Sequence, residues 1–279
     1  HLLYARFYTR ALGDLGLAPD EIREPFSQLF CQGMILLEGK AMSKSRGNVV
    51  SPDNYFSTVG ADALRLYHLF VGPPVEDTEW GAQTDLLIEG CGRYLRRVWR
   101  LATGLEETPR HESDASAATG TLVRLRHRTV RDVGRHLDAY AFNTAVSSLM
   151  ELTNGIMAAR RSGGDPAVID EAIDTLLCLL SPLAPHIAAE SWEQRNGGHV
   201  HEQPWPTFDD VAIVEATVEM VVQIDGKVRD KFEVDANISE EDATSFALAS
   251  SKIAELLDGA SPVRVIARPP RLVNIVTRR

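Results

Sequence analysis

The sequence predicts a multidomain chain in which a short α/β segment is followed by an all-α helical bundle and a small α+β domain. Three observations predict this order. A short apolar run at 32–37 leads into a polar, glycine-bearing loop, as strands of α/β sheets do. Apolar residues recur at helical spacing from 82 to 205, and after residue 214 the apolar period changes to two. We therefore expect domains over 1–81, 82–205 and 214–279, with a linker at 206–213.

Helical periodicity accounts for most of the chain up to residue 205. Ser51 and Pro52 are a typical cap and first-turn pair, and Pro182 and Pro185 are expected to kink or split the last helix of the bundle. The polar stretch 104–119 is expected to be a loop. The predicted helices run, in chain order, over 1–16, from 52, and over 62–71, 83–103, 120–136, 138–161 and 166–195. The run QGMILL at 32–37 predicts a buried strand, followed by a mobile loop over 38–48.

The last segment alternates apolar and polar residues, with a hairpin turn signal at Asp225-Gly226. A helical segment over about 239–258 and short strands at about 263–267 and 272–277 complete the α+β domain. On the returning strand of the hairpin, Lys227, Arg229 and Lys231 are expected to point to one side of the sheet. Val228 and Phe232 are expected to point to the other.

Length and composition are those of a globular protein. The 279 residues are enough to bury a core without stabilising disulfides or metals. They are 44% hydrophobic and 24% charged, which excludes wholesale disorder. A net charge of −10, taken alone, argues against a general polyanion-binding protein. Three scattered cysteines, no signal peptide and no apolar run approaching the roughly 18 residues of a membrane span predict a cytoplasmic protein without membrane contact. Because the first residue is His1 and not Met, we expect a processed chain, a cut chain or a fragment.

The loop over 38–48, which we call the lysine loop, is the most informative feature. It carries three cations, two hydroxyls and a turn-permitting glycine in the string KAMSKSRGN at 40–48. Such groups suit a polyphosphate, because a poised lysine stabilises the charge that develops on a leaving pyrophosphate. The G-x-x-x-x-G-K spacing of a Walker A motif is absent. A solvated basic surface loop is the alternative interpretation.

The string AMSKS at 41–45 resembles the KMSKS signature of class I aminoacyl-tRNA synthetases at four of five positions. Other strings are similar to landmarks of the same family in the same order, and within it to the leucine-activating members. They are HLLYARF at 1–7, QGMIL at 32–36, GADALR at 60–65, PP and EW at 73–80, FNTA at 142–145, LAPHIA at 183–188, VQIDGKVR at 222–229 and LVNIV at 272–276. Two positions depart from the family pattern: Ala41 replaces the first lysine, and Asp230 stands where glycine is common.

The resemblance implies that 1–81 ends a Rossmann-like catalytic domain, that 82–205 binds the tRNA anticodon stem, and that 214–279 touches the tRNA corner. It also implies that Lys44 contacts the phosphates of ATP, bound with Mg²⁺, while leucine is activated for transfer to tRNA(Leu). Ser43, Ser45 and Asn48 would shape the loop, and Met42 would anchor it. The full ATP/pyrophosphate loop then comprises Lys40, Ala41, Met42, Ser43, Lys44, Ser45 and Asn48. No H-x-G-H string, leucine pocket or editing insertion is found, so we expect the isolated chain to be inactive. The resemblance also implies that the full enzyme is a monomer.

Arginines are concentrated between residues 91 and 136, where the net charge is +5 although that of the whole chain is −10. On the fifth predicted helix (120–136), one face consists of Arg124, Arg128, Arg131 and Arg135, which we call the α5 stripe. On the fourth predicted helix (83–103), a second face consists of Arg93, Arg96, Arg97 and Arg100, which we call the α4 stripe. Two cationic stripes on neighbouring helices suit a phosphate backbone, the alternative being a solvated face. The candidate tRNA contacts are Arg93, Arg97 and Arg100 of the α4 stripe, the four arginines of the α5 stripe, and Lys227, Arg229 and Lys231 of the hairpin.

Other reactive residues give weaker signals. His199 and His201 have no third ligand nearby, so we expect a loop pair and no protein-bound metal. No nucleophile with its own base is indicated. Two alternatives stay open at this point: a non-catalytic tRNA-binding split subunit or paralogue, and a valine- or isoleucine-activating relative.

Overall fold

The computed structural model describes residues 2–19, 21–105, 114–214, 217–236, 238–258 and 262–277. The order of an α/β segment, a helical bundle and an α+β unit is as predicted. The first segment contains, in chain order, α1 (Tyr4–Asp14), β1 (Ile35–Leu37), β2 (Lys40–Ala41), a 3₁₀ turn (Lys44–Arg46), α2 (Asp53–Thr58), α3 (Ala61–Phe70) and β3 (Thr78–Glu79). No helix of the described residues is both long and apolar enough to cross a membrane.

A three-stranded sheet in the order β2-β1-β3 carries the lysine loop. β1 pairs antiparallel with β2 and parallel with β3. The prediction of a buried strand over 32–37 is wrong in length and burial, because β1 has three residues and Ile35 is 36% exposed. The lysine loop therefore extends from a short sheet at the surface.

The bundle consists of α4 (Thr84–Ala102), α5 (Ala115–Asp138), α6 (Phe142–Arg161), α7 (Pro166–Leu180) and α8 (Pro185–Asn196). The short α9 (Asp210–Ile213) lies in the predicted linker and packs against α5. The predicted split at Pro182 and Pro185 separates α7 from α8. The predicted loop over 104–119 is wrong for its last five residues, because Asp114 starts α5 early by accepting hydrogen bonds from the Ser116 and Ala117 amides. Residues 106–113 lie outside the described part.

Helix α3 shares the hydrophobic core of the bundle. Its Ala63, Leu66 and Tyr67 are at most 2% exposed and belong to the same cluster as the core residues of α4 to α7. The side chains of Tyr55 and Val59, in and next to α2, pack against this cluster. The segment that follows the lysine loop is thus packed onto the bundle.

The α+β unit is a four-stranded sheet in the order β5-β4-β7-β6, with two helices. Its elements are β4 (Thr217–Ile224), β5 (Lys227–Asp235), α10 (Glu240–Leu248), α11 (Ser251–Leu257), β6 (Arg264–Arg268) and β7 (Leu272–Val276). Met220, Val222 and Val273 are completely buried in its core. The single helix predicted over 239–258 is two helices, because the Ser250 hydroxyl accepts from the Ile253 amide and starts α11.

A β-bulge reverses the predicted alternation in the hairpin. Ile224 pairs with Lys227 and Gln223 with Val228, but Val222 pairs with Asp230, which leaves Arg229 as the extra residue. Since paired residues share a face, Lys227 lies on the face of buried Ile224, while Val228 lies on the outer face and is 54% exposed. Lys231 pairs with Val221 on that outer face. The expectation that the three cations share one side, opposite Val228, is therefore wrong.

Candidate functional site

The lysine loop is closed by one side chain. After β2 the chain forms the 3₁₀ turn and continues through Gly47, whose φ of +69° favours glycine. The Asn48 amide oxygen accepts from the Ser43 backbone N–H at 2.9 Å, and its Nδ2 donates to the Ala41 carbonyl at 3.3 Å. Asn48 thus holds the two ends of the loop together.

The groups exposed on this loop favour an anion. Lys40, Lys44 and Arg46 are exposed, and no acidic side chain of the described residues forms an ion pair with them. The hydroxyls of Ser43 and Ser45 lie 2.8 Å apart. Uncompensated cations beside hydroxyl donors are the groups that bind a polyphosphate. Ala41 and Met42 are half-buried.

The base of the loop is fixed by contacts that sequence reasoning missed. Both carboxylate oxygens of Glu79 accept from the Gly39 N–H, at 3.2 and 3.3 Å, and Asp77 accepts from the Met34 N–H at 2.7 Å. At Gly33 a Cβ atom would lie 2.2 Å from the Glu76 carbonyl oxygen, so only glycine permits this approach. Because the two residues in each of these contacts are about 40 positions apart in the sequence, no local sequence pattern predicts them.

An aromatic cluster lies between the loop and the bundle. The Trp80 ring is 5.7 Å from Tyr55 and 5.9 Å from both Tyr67 and His68, between ring centroids. Tyr55 donates its hydroxyl to Asp85 of α4 at 2.6 Å, and this hydrogen bond, with burial, raises the pKa of Tyr55 to about 12. Burial lowers the pKa of His68. Residues of α2, α3 and α4 therefore meet around Trp80, which directly follows β3.

The α4 stripe presents arginines in several environments. Arg93 lies 3.8 Å from Glu89, and the Arg97 guanidinium lies 5.9 Å from the centroid of the Tyr94 ring. Arg96 and Arg100 are exposed, whereas Arg97 is half-buried. The stripe thus combines solvated cations with one that rests on an aromatic ring.

The α5 stripe is partly neutralised. Arg128 pairs with Glu151 of α6, and Arg131 pairs with Asp132 at 2.9 Å, which raises the pKa of Arg131. Arg124 donates to the Thr121 hydroxyl at 3.1 Å, and Arg135 is exposed. Because α5 packs mainly on α6 and α7, whereas α4 packs on α3, α6 and α8, the expectation of neighbouring helices is wrong. The two stripes lie on helices that share α6.

A buried arginine on α5 escaped the sequence analysis. Arg126 is 9% exposed and pairs with Glu171 of α7 at 3.0 Å. The adjacent His127 accepts at Nδ1 from the Asp209 N–H, which precedes α9, at 3.0 Å. The available signal was that Arg126 does not fit the four-three-four spacing of the stripe and so faces the core.

The hairpin cations differ in their partners. Lys231 pairs with Glu219 across the sheet at 2.8 Å, while Lys227 and Arg229 are exposed. Asp230, the residue that departs from the family pattern, accepts from the Ser250 hydroxyl at 2.9 Å and lies 3.5 Å from the Lys252 ammonium. These contacts lower the pKa of Asp230 and join β5 to α11.

The histidine pair predicted in a loop stacks: the ring centroids of His199 and His201 lie 5.3 Å apart.

Comparisons with known proteins agree along the whole chain. The family described as tRNA synthetases class I (I, L, M and V) matches residues 6–81, and the anticodon-binding domain of tRNA ligase matches 121–244. The leucine–tRNA ligases of Herpetosiphon aurantiacus and Geotalea daltonii are 42% and 41% identical over 100% and 99% of this chain. The solved LeuRS of Agrobacterium radiobacter K84, a ternary complex with tRNA and LeuAMS, is 29% identical with a TM-score of 0.72 over 100% of this chain. The chain covers 33%, 34% and 36% of those three proteins, about a third of their length.

Proposed function

Because the chain belongs to the class I aminoacyl-tRNA synthetases, we propose that it is part of a leucine–tRNA ligase, which activates leucine with ATP and transfers it to tRNA(Leu). The leucine–tRNA ligases that match it over its whole length support the choice of amino acid. We assign 1–81 to the end of the catalytic domain and 82–205 to the anticodon-stem domain. The linker is then 206–213, and 214–279 is the C-terminal tRNA-binding domain. The chain on its own is inactive, because the leucine pocket lies elsewhere in the enzyme.

The proposed role of Lys44 is to stabilise the leaving pyrophosphate. The leucine carboxylate attacks the α-phosphorus of ATP, and Mg²⁺-pyrophosphate departs with the bonding electron pair. The ammonium group of Lys44 lies next to the charge that accumulates on the leaving oxygens, and so favours the transition state over the ground state. The observation that carries this role is the exposed Lys44, without an acidic partner among the described residues, on a loop closed by Asn48.

The proposed tRNA contacts are Arg93, Arg97 and Arg100 of the α4 stripe, the α5 stripe and the hairpin cations Lys227, Arg229 and Lys231. Arg93, Arg100, Arg135 and the three hairpin cations are exposed, and the other proposed arginines are half-buried. Exposed cations suit phosphate binding, which depends on charge and carries no sequence information. We further propose that the complete enzyme is a cytoplasmic monomer. The three cysteines of this chain, Cys31, Cys91 and Cys178, are free thiols, as a reducing compartment favours.

Lys44→Ala in the complete enzyme tests the proposal. We expect ATP–pyrophosphate exchange with leucine to slow by about 10²- to 10³-fold, the usual loss of one preorganised donor. Lys252→Ala is the matched control, because it removes an exposed lysine of the α+β unit. An unchanged exchange rate in Lys44→Ala would contradict the assignment. Aminoacylation with valine or isoleucine in place of leucine would instead identify the relative, and tRNA binding without any exchange would identify a non-catalytic subunit.

A further inference from the structure

We propose that Asp62 is a positioning residue that sets the lysine loop against the helical bundle by capping helix α8 from helix α3. Asp62 lies in the first turn of α3 and is only 7% exposed. Its Oδ2 accepts from the Ile187 backbone N–H, in the first turn of α8, at 2.7 Å. The two residues are 125 positions apart in the chain.

Helix α8 has no cap of its own. Its N-cap residue, Ala184, offers no side-chain acceptor, and Pro185 occupies the first helical position. A buried carboxylate at this end satisfies a free N–H and meets the positive end of the helix dipole. The second oxygen, Oδ1, is buried without a hydrogen-bond partner among the described residues, so the carboxylate is held there by α8 and not by solvent. By contrast, α7 is capped locally, by Asp165.

A second contact from α3 reaches the same place. One turn after Asp62, the Arg65 guanidinium donates to the Pro182 carbonyl at 3.3 Å. Pro182 lies in the break between α7 and α8. Two polar contacts, one before and one after the start of α8, therefore fix α3 along the bundle.

The C-terminal part of α3 supports the lysine loop. Tyr67 and His68 contact the Trp80 ring. The backbone N–H of Trp80 donates to the Leu36 carbonyl of β1 at 2.7 Å. The adjacent Glu79 holds Gly39 at the turn of the hairpin that leads into the loop. A shift of α3 away from α8 would thus move the aromatic cluster and the base of the loop together.

The consequence for catalysis rests on the proposed role of Lys44. A cation stabilises a developing charge only when it is held within a fraction of an ångström of its productive position. Asp62 touches neither substrate nor Lys44, so its effect passes through α3 and the aromatic cluster.

Millisecond hydrogen exchange on this chain measures the coupling without requiring activity. In Asp62→Ala we expect the Ile187 amide to exchange roughly 10-fold faster, and the hydrogen-bonded Ser43, Arg46 and Gly47 amides about 3-fold faster. Asp165→Ala is the matched control, since it removes the side-chain cap of the neighbouring helix α7, which Asp165 forms with the Ala167 N–H of its own helix. Unchanged exchange at Ser43, Arg46 and Gly47 in Asp62→Ala, or equal acceleration in Asp165→Ala, would overturn the proposal.

Two further variants separate positioning from folding. Asp62→Asn keeps an acceptor oxygen and is expected to restore most of the protection of the loop amides. Arg65→Ala, at an exposed residue, tests the same link if Asp62→Ala does not fold, and unchanged loop exchange in it would also count against the proposal. In the complete enzyme, Asp62→Ala should lower kcat of ATP–pyrophosphate exchange about 10-fold with KM for ATP nearly unchanged. If Lys44→Ala leaves exchange activity intact while the amide result holds, the proposed function fails and the positioning role stands.

Discussion

At the scale of single residues, Asn48 determines what the lysine loop can do. Lys44 lies on a short 3₁₀ turn with no regular strand after it, so the loop needs another means of closure. The Asn48 side chain supplies it by accepting from Ser43 and donating to the Ala41 carbonyl. An amide suits this position because one group offers both an acceptor and a donor.

Asn48→Ala is therefore expected to slow ATP–pyrophosphate exchange in the complete enzyme by about 10- to 100-fold. The same change should alter the free energy of unfolding by less than about 1 kcal/mol, since the lost hydrogen bonds are near the surface. Steady-state kinetics and denaturant unfolding measure the two effects. Asn48→Asp retains the acceptor for Ser43 but loses the donor and places a negative charge near Lys44, so we expect it to be no faster than Asn48→Ala. Wild-type kinetics in both variants would show that the loop needs no such closure.

At the scale of elements, the sequence predicted what is periodic and missed what is set by distant partners. The split between α7 and α8 followed from Pro182 and Pro185, since proline removes a helical hydrogen bond. The bulge at Arg229 did not follow, because it depends on how β5 pairs with β4. Likewise α4 and α5 are adjacent in sequence, but sequence does not tell which helices pack together. The cap that Asp62 provides for α8 is of the same kind.

The α5 stripe allows a test with equal charge change in both arms. Arg124 and Arg135 have no acidic partner among the described residues, whereas Arg128 and Arg131 pair with Glu151 and Asp132. A paired arginine must give up its carboxylate to bind a phosphate, so an unpaired one contributes more to tRNA affinity. We expect Arg124→Gln with Arg135→Gln to weaken tRNA binding more than Arg128→Gln with Arg131→Gln. The slope of log Kd against the logarithm of the salt concentration should also decrease by about two in the first variant, because each lost phosphate contact removes roughly one released ion.

tRNA-binding assays over a range of salt concentrations measure both the affinity and its salt dependence. Because each double variant removes two positive charges from one helix, bulk electrostatics would weaken binding equally in the two. Equal affinities would therefore show that the stripe acts only through net charge. A loss confined to Arg128 and Arg131 would show that the ion pairs organise the contact surface.

At the scale of the whole molecule, averages concealed the organisation. A net charge of −10 argued against nucleic-acid binding, yet the segment from 91 to 136 carries +5. Burial is equally uneven. The bundle has a continuous core, but among the described residues 2–35 only Gly13 is buried. Helix α1 is held by exposed ion pairs of Arg6 and Arg10 with Glu24, whose hydrogen bonds lower the pKa of Glu24 to about 2.

The last prediction concerns exposed apolar side chains at the start of α1. Leu3 and Phe7, one helical turn apart, are 81% and 66% exposed, and relatives of this chain are about three times as long. We propose that the remainder of the catalytic domain covers this face in the complete enzyme, because apolar patches on monomers are rarely left open.

This chain alone should then bind the apolar dye ANS, and Leu3→Ser with Phe7→Ser should reduce the fluorescence without shifting the melting temperature of the bundle. In the complete enzyme the same pair should cost about 3–6 kcal/mol of stability, as full burial of two large apolar side chains implies. Val211→Ser, at a residue 79% exposed next to the bundle, is the control expected to change neither quantity. Unaltered stability of the complete enzyme in the double variant would mean that this face stays open there.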